Sequence, residues 1–140
     1  MKTILVTGGC GFIGSNFIQN VLQKDPSAHI LNLDKLTYAG NLMNLASISN
    51  KKHTFVRGDI CDKGLVESLF NEYSFQSVVH FAAESHVDRS IDNPSKFIQT
   101  NIVGTLNLLE QSKKFILKSK IKDFKFLHVS TCLLYTSPSP

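Results

Sequence analysis

The chain has 140 residues, with 42% apolar and 19% charged residues, a globular composition that excludes collagen-like repeats, low complexity and wholesale disorder. A chain of this size buries roughly 70% of its unfolded surface, so one domain, or one piece of a larger one, is expected. The formal charge of +4 is concentrated in Lys113, Lys114, Lys118, Lys120, Lys122 and Lys125 around Asp123, which leaves no spread basic face for nucleic acid.

In chain order, the apolar run from Ile4 to Thr7 predicts a first strand. Phe12, Ile13, Phe17, Ile18, Val21 and Leu22 then recur at helical spacing until Asp25-Pro26, where proline ends the helix. Ile30 to Leu33 predicts a second strand and Thr54 to Val56 a third. A second helix is expected from about Asp62 to Tyr73, with Leu65, Val66, Leu69 and Phe70 on one side. Ser77 to Ala82 reads as a fourth strand. The longest helix opens at Asn93-Pro94, an N-cap residue followed by a proline suited to the first helical position. It carries Ile98, Ile102, Leu106 and Leu109 in one stripe and ends in the lysine cluster, whose charge suits a helix C-terminus. Phe124 to Val129 predicts a fifth strand.

Strands apolar on both faces, alternating with helices, predict a doubly wound parallel α/β sheet of the Rossmann type, with five βα units of an incomplete domain. The expected strand order is 3-2-1-4-5, which leaves the fifth strand at an edge. Cys10, Cys61 and Cys132 are odd in number and lack CxxC spacing, so reduced thiols and a cytoplasmic protein are expected. The apolar part of the start is too short for a signal peptide, and no run is long enough to span a membrane. His29, His53, His80, His86 and His128 show no zinc-ligand spacing; structural or surface roles are expected, and no metal.

The chemistry concentrates in Thr7-Gly8-Gly9-Cys10-Gly11-Phe12-Ile13-Gly14, between the first strand and the first helix. Gly9, Gly11 and Gly14 satisfy GxGxxG, and Asp34 ends the second strand 20 residues past Gly14. A dinucleotide diphosphate must approach the backbone N–H groups at a helix N-terminus, and a Cβ on the approaching glycines would block it. Asp34 would accept from the adenosine ribose hydroxyls and repel a 2′-phosphate, favouring NAD over NADP, although the neighbouring Lys35 works against that preference. Glycines serving only a tight turn and close helix packing are the alternative.

Asp59, after the third strand, either meets an adenine amino group or caps a turn. Ala82 and Ala83, after the fourth strand, either let a cofactor lie against the backbone at the sheet edge or serve core packing. Arg89 and Asp88 read as a pair rather than as substrate ligands.

TGGCGFIG, NLDKLTYAGN (Asn32 to Asn41), RGDICD (Arg57 to Asp62), HFAAESHVDRSI (His80 to Ile91) and QTNIVGTLNLLE (Gln99 to Glu110) together resemble the dTDP-glucose 4,6-dehydratases of the extended short-chain dehydrogenase/reductase superfamily. The resemblance covers residues 1 to about 131, a partial NAD-binding domain. It implies tightly held NAD that takes a hydride from sugar C4 and returns it to C6 after water is eliminated across C5 and C6. By position it implies that Phe12, Ile13, Asp34, Lys35, Leu36, Thr37, Asp59, Ile60, Ala82, Ala83 and Thr100 contact NAD, along with the glycines Gly8, Gly11 and Gly14. Ser85 and Thr131 would face the nucleotide sugar, dTDP-glucose, with Thr131 on the hydroxyl being oxidised and Asn101 supporting the site. The family's homodimers pair helices that include the one after Asn93, which would leave its stripe exposed in a single copy.

The pattern breaks after Ser130-Thr131. The family continues with an Asp-Glu pair, the acid and base of the elimination; here Cys132-Leu133 follow, and neither replaces a carboxyl group. Tyr38, Tyr73 and Tyr135 are followed four residues later by Leu42, Ser77 and Ser139, so the superfamily's Tyr-x-x-x-Lys pair is missing and the chain alone is expected to be inactive; a non-catalytic NAD-binding regulatory module, or another extended-family nucleotide-sugar epimerase or decarboxylase, is the alternative. The segment 132–140 reads as translated sequencing-adapter sequence after a truncated frame, with a divergent C-terminus as the alternative.

Overall fold

The computed structural model describes residues 2–36, 45, 48, 51–81, 95 and 99–129, without the side chains of 99–101. Its elements are β1 (Lys2–Thr7), α1 (Phe12–Lys24), β2 (Ala28–Asp34), β3 (His53–Arg57), α2 (Lys63–Glu72), β4 (Phe75–His80), a π-helical turn (Gln99–Gly104) that runs into α3 (Thr105–Ser119), and β5 (Lys125–His128). The strands pair in parallel in the order β3-β2-β1-β4-β5, as the alternation of strand and helix predicts. Each strand lies within a few residues of its expected place. The fourth ends at His80, and Ala82 lies outside the described residues, as do Asn93-Pro94, Ile98 and the segment 132–140.

Strand residues alternate between two cores, the consequence of a period of two in a sheet covered on both faces. Ile4, Val6 and Ile30 pack with Ile18 and Leu22 of α1. Leu5, Leu31, Leu33 and Val78 pack with Val66, Leu69 and Phe70 of α2 and Leu108 of α3. Because β1 is central, it feeds both cores, Leu5 one and Ile4 and Val6 the other, and the turn that leaves it is tied to β2 through Gly8 N–H and the Leu33 carbonyl.

The helix ends follow local chemistry. The Asp62 side chain accepts from Leu65 N–H and caps α2. At the other end of α3, Lys120 adopts the left-handed conformation (φ 56°) of a helix stop. The buried side of α3 is Asn107, Leu108, Gln111 and Ser112, whereas Ile102, Leu106 and Leu109 of the apolar stripe are 61%, 51% and 46% exposed. No helix among the described residues is long and apolar enough to cross a membrane.

Candidate functional site

The turn after β1 is built around Gly8, whose φ of 74° is a left-handed conformation that glycine adopts without steric cost. Gly8 N–H donates to the Leu33 carbonyl of β2 and Gly11 N–H donates back to the Gly8 carbonyl, so the chain reverses directly above β1. At Gly14 a Cβ would run into the Gly8 carbonyl oxygen and come within 2.9 Å of Gly9 Cα, so only glycine lets α1 seat this close to the turn. A Cβ on Gly11 would meet only the Gly8 oxygen, at 3.5 Å. Packing therefore demands Gly14 and makes no such demand at Gly11.

The N-terminus of α1 carries no side-chain cap and no acidic residue in its first turn, in contrast to the capped α2. Its leading side chains, Phe12 and Ile13, are 80% and 62% exposed and take no part in the core. A helix start left in this state offers its N–H groups and positive dipole end to an anion.

Asp34 stands beside it at the end of β2. Its Oδ2 accepts from Cys10 N–H at 2.8 Å and its Oδ1 from Leu36 N–H at 2.7 Å. Leu36 is thereby held in a left-handed conformation (φ 57°), uncommon for a branched residue and frequent where a ligand site constrains the backbone. A carboxylate offers about four acceptor positions, of which the two N–H groups and the Cys10 thiol take three, leaving room for a hydroxyl. Lys35 points to the next loop, where its Nζ lies 3.2 Å from Asp59 Oδ2. Asp59 Oδ1 accepts from Cys61 N–H at 2.9 Å. Burial raises the Asp59 carboxyl, but the Cys61 N–H and the Lys35 ammonium together outweigh it and hold the group below the ordinary carboxylate range. Ile60 is 3% exposed and belongs to the core, with its carbonyl accepting from Asn107 Nδ2 at 3.0 Å.

Thr100 and Asn101 sit in the π-helical turn before α3, a backbone form common at functional sites. Thr37, Ala82, Ala83, Ser85 and Thr131 lie outside the described residues. Among the described residues no group of His, Cys, Asp and Glu is arranged to hold a metal ion. The fit to a dinucleotide is good on the residues present: a glycine opening without a Cβ, an uncapped helix start for a diphosphate, and a carboxylate with an acceptor position left for a ribose. A family model described as GDP-mannose 4,6 dehydratase matches residues 5–139. The chain belongs to that family.

Among curated proteins, the dTDP-glucose 4,6-dehydratase of Xanthomonas campestris pv. campestris is 52% identical over 139 residues, which cover 96% of this chain and 39% of the relative. The chain thus spans about two fifths of the length of the curated relatives it matches. Among solved structures, the dTDP-glucose 4,6-dehydratase of Bacillus anthracis in complex with NAD superposes with a TM-score of 0.77 at 42% identity, covering 93% of this chain and 37% of that one. The enzyme of the same name from Streptomyces venezuelae, solved with NAD and TYD bound, gives 0.73 at 45% identity and covers 81% of this chain and 36% of that one.

One support of the glycine turn escapes a motif search. Asn32, fully buried in β2, accepts from Gly9 N–H through Oδ1 at 3.0 Å and donates through Nδ2 to Cys10 Sγ at 3.5 Å. The one signal for it was a polar residue inside the apolar run Ile30-Leu31-Asn32-Leu33. Cys10 is itself fully buried; burial, and then the Asp34 charge, push its thiol up to about 11 despite the opposing Asn32 hydrogen bond. His80, at the end of β4, has the structural role expected of it, between Thr7 of β1 and Thr105 of α3.

Proposed function

We propose that this chain is the NAD-binding portion of a dTDP-glucose 4,6-dehydratase, the complete protein converting dTDP-glucose to its 4-keto-6-deoxy product for deoxysugar synthesis. One observation carries the reading: the Asp34 carboxylate is fixed by Cys10 and Leu36 N–H groups beside an uncapped α1 N-terminus. Relatives of that name at 45% to 52% identity support it.

In this reading the backbone at Gly8, Gly11, Phe12, Ile13 and Gly14 receives the diphosphate. Asp34, Lys35, Leu36 and Thr37 surround the adenosine ribose, and Asp59 and the Ile60 backbone face the adenine. Ala82, Ala83 and Thr100 line the nicotinamide end, and Ser85 and Thr131 face the sugar. Bound NAD supplies a hydride acceptor at sugar C4 and a donor at C6. The chain's own part is to bind and orient, because Cys132 and Leu133 provide neither acid nor base. The NAD-binding unit is residues 1–131, with 132–140 outside it, and the cell compartment is the cytoplasm, in keeping with an odd number of cysteines without CxxC spacing.

The complete protein pairs as a homodimer through α3, whose exposed Ile102, Val103, Leu106 and Leu109 form an apolar face. Light scattering of the complete protein with Leu106→Lys should then give a monomer mass.

The test of the main reading has two arms. Calorimetry of the 140-residue chain should detect NAD, and a full-length clone should form a 4-keto product from dTDP-glucose. A non-catalytic NAD-binding regulatory module is the second reading, favoured by Cys132-Leu133 in place of the carboxyl pair. It requires NAD binding with no turnover by the full-length clone.

A further inference from the structure

The adenosine end of the site holds three charges whose arrangement bears on dinucleotide choice. Asp34 closes β2, Lys35 follows it directly, and Asp59 stands across the β2/β3 edge with Oδ2 at 3.2 Å from Lys35 Nζ. A 2′-phosphate would add roughly two negative charges at the ribose hydroxyl nearest Asp34, and a neighbouring ammonium is the group that would compensate them. That ammonium is engaged elsewhere. Asp59 is itself held in place, since its second oxygen accepts from Cys61 N–H at 2.9 Å.

We propose that the Lys35–Asp59 ion pair is a specificity device: Asp59 sequesters the Lys35 ammonium from a 2′-phosphate, so that exclusion of the phosphorylated dinucleotide rests on both carboxylates. Asp34 acts by repulsion and Asp59 by withholding the compensating cation. This inference rests on the nucleotide-site reading above. Both side chains are partly exposed, Lys35 at 47% and Asp59 at 35%, so the effect is modest, about fivefold in affinity, the scale of a partly solvated ion pair.

The experiment is calorimetry of NAD and NADP on the 140-residue chain and three variants, Asp59→Asn, Lys35→Met and the double variant. Asparagine keeps an oxygen for the Cys61 N–H, so the loop retains its hydrogen bond, which melting curves check. Adenine contacts are common to both dinucleotides and cancel in the NADP-to-NAD affinity ratio. Asp59→Asn should raise that ratio about fivefold, Lys35→Met should leave it within about twofold, and the double variant should return it to the starting value. Arg57, the exposed register partner of Asp34 on β3, is the other cation to control for, and the gain should survive Arg57→Met. A ratio unmoved by Asp59→Asn while NAD still binds overturns the inference, as does a gain that persists without Lys35. Failure of the unmodified chain to bind either dinucleotide overturns the nucleotide-site reading itself, and this inference with it.

Discussion

Thr7 Oγ1 and His80 Nδ1 lie 2.6 Å apart in a fully buried contact that joins the ends of β1 and β4 directly beneath the glycine turn. The other ring nitrogen, Nε2, is 2.9 Å from Thr105 Oγ1 at the start of α3, and the ring stacks on His128 of β5 with centroids 4.9 Å apart. One imidazole therefore connects two strands and a helix, and its protonation state matters to the fold.

Burial, and then the neighbouring His128, bring His80 down to about 4, against about 6.5 in an unfolded chain. Between those values the unfolded chain binds a proton that the folded chain refuses. Stability is therefore fully present above pH 6.5 and is lost as the pH falls toward 4. His29 and His53, both lowered by burial, act in the same direction. Urea unfolding at about pH 7.5 and about pH 4.5 should differ by about 2–3 kcal/mol from His80 alone. The His80→Gln chain should lose most of that slope; an unchanged slope would place the acid sensitivity elsewhere.

Gly14 and Gly11 separate packing from binding. Gly14→Ala forces a Cβ against the Gly8 carbonyl and Gly9 Cα, which should cost about 1–3 kcal/mol and lower NAD affinity with it. Gly11→Ala has ordinary contact distance and a φ of −74°, so its melting temperature should hardly move. NAD affinity should nevertheless fall by about tenfold or more, because the methyl stands on the approach to the helix start. Equal NAD affinity in Gly11→Ala and the parent chain would remove the diphosphate from this turn.

Asn32→Leu tests the support of the turn. It removes the acceptor of the buried Gly9 N–H and crowds a position with no exposure. A loss of about 2–4 kcal/mol is expected by chemical denaturation, combining an unsatisfied donor with overpacking. A change below about 0.5 kcal/mol would mean that the Gly9 amide finds another partner.

Cys10 should be inert in the folded chain. With its thiol pushed up to about 11 and no exposure, it should react with iodoacetamide at about pH 8 at least a hundredfold more slowly than in urea, as read by peptide mass spectrometry. Cys61 is also raised to about 11, by burial and then by Asp59, but is only half-buried, so it should label before Cys10. Labelling of Cys10 first would contradict the packing of the turn.

Local chemistry made much of the fold legible in the sequence. A period of two in short apolar runs, a period near 3.6 between them and proline after α1 require only neighbours along the chain, and these yield the strands, the helices and the parallel order. The turn glycines were equally readable, since the left-handed Gly8 and the close seating of α1 at Gly14 depend on neighbours a few residues away. Three features needed the folded chain. The Asn32–Gly9 bond joins residues 23 apart in sequence, and the Lys35–Asp59 pair depends on β2 and β3 lying side by side. The orientation of α3 is the third: hydropathy marks Ile102, Leu106 and Leu109 as a stripe, yet Asn107, Leu108, Gln111 and Ser112 are the residues that are buried. Periodicity establishes that a helix has two faces, but which face is covered depends on the surfaces that α2 and Ile60 present, and those come together only once the sheet has formed.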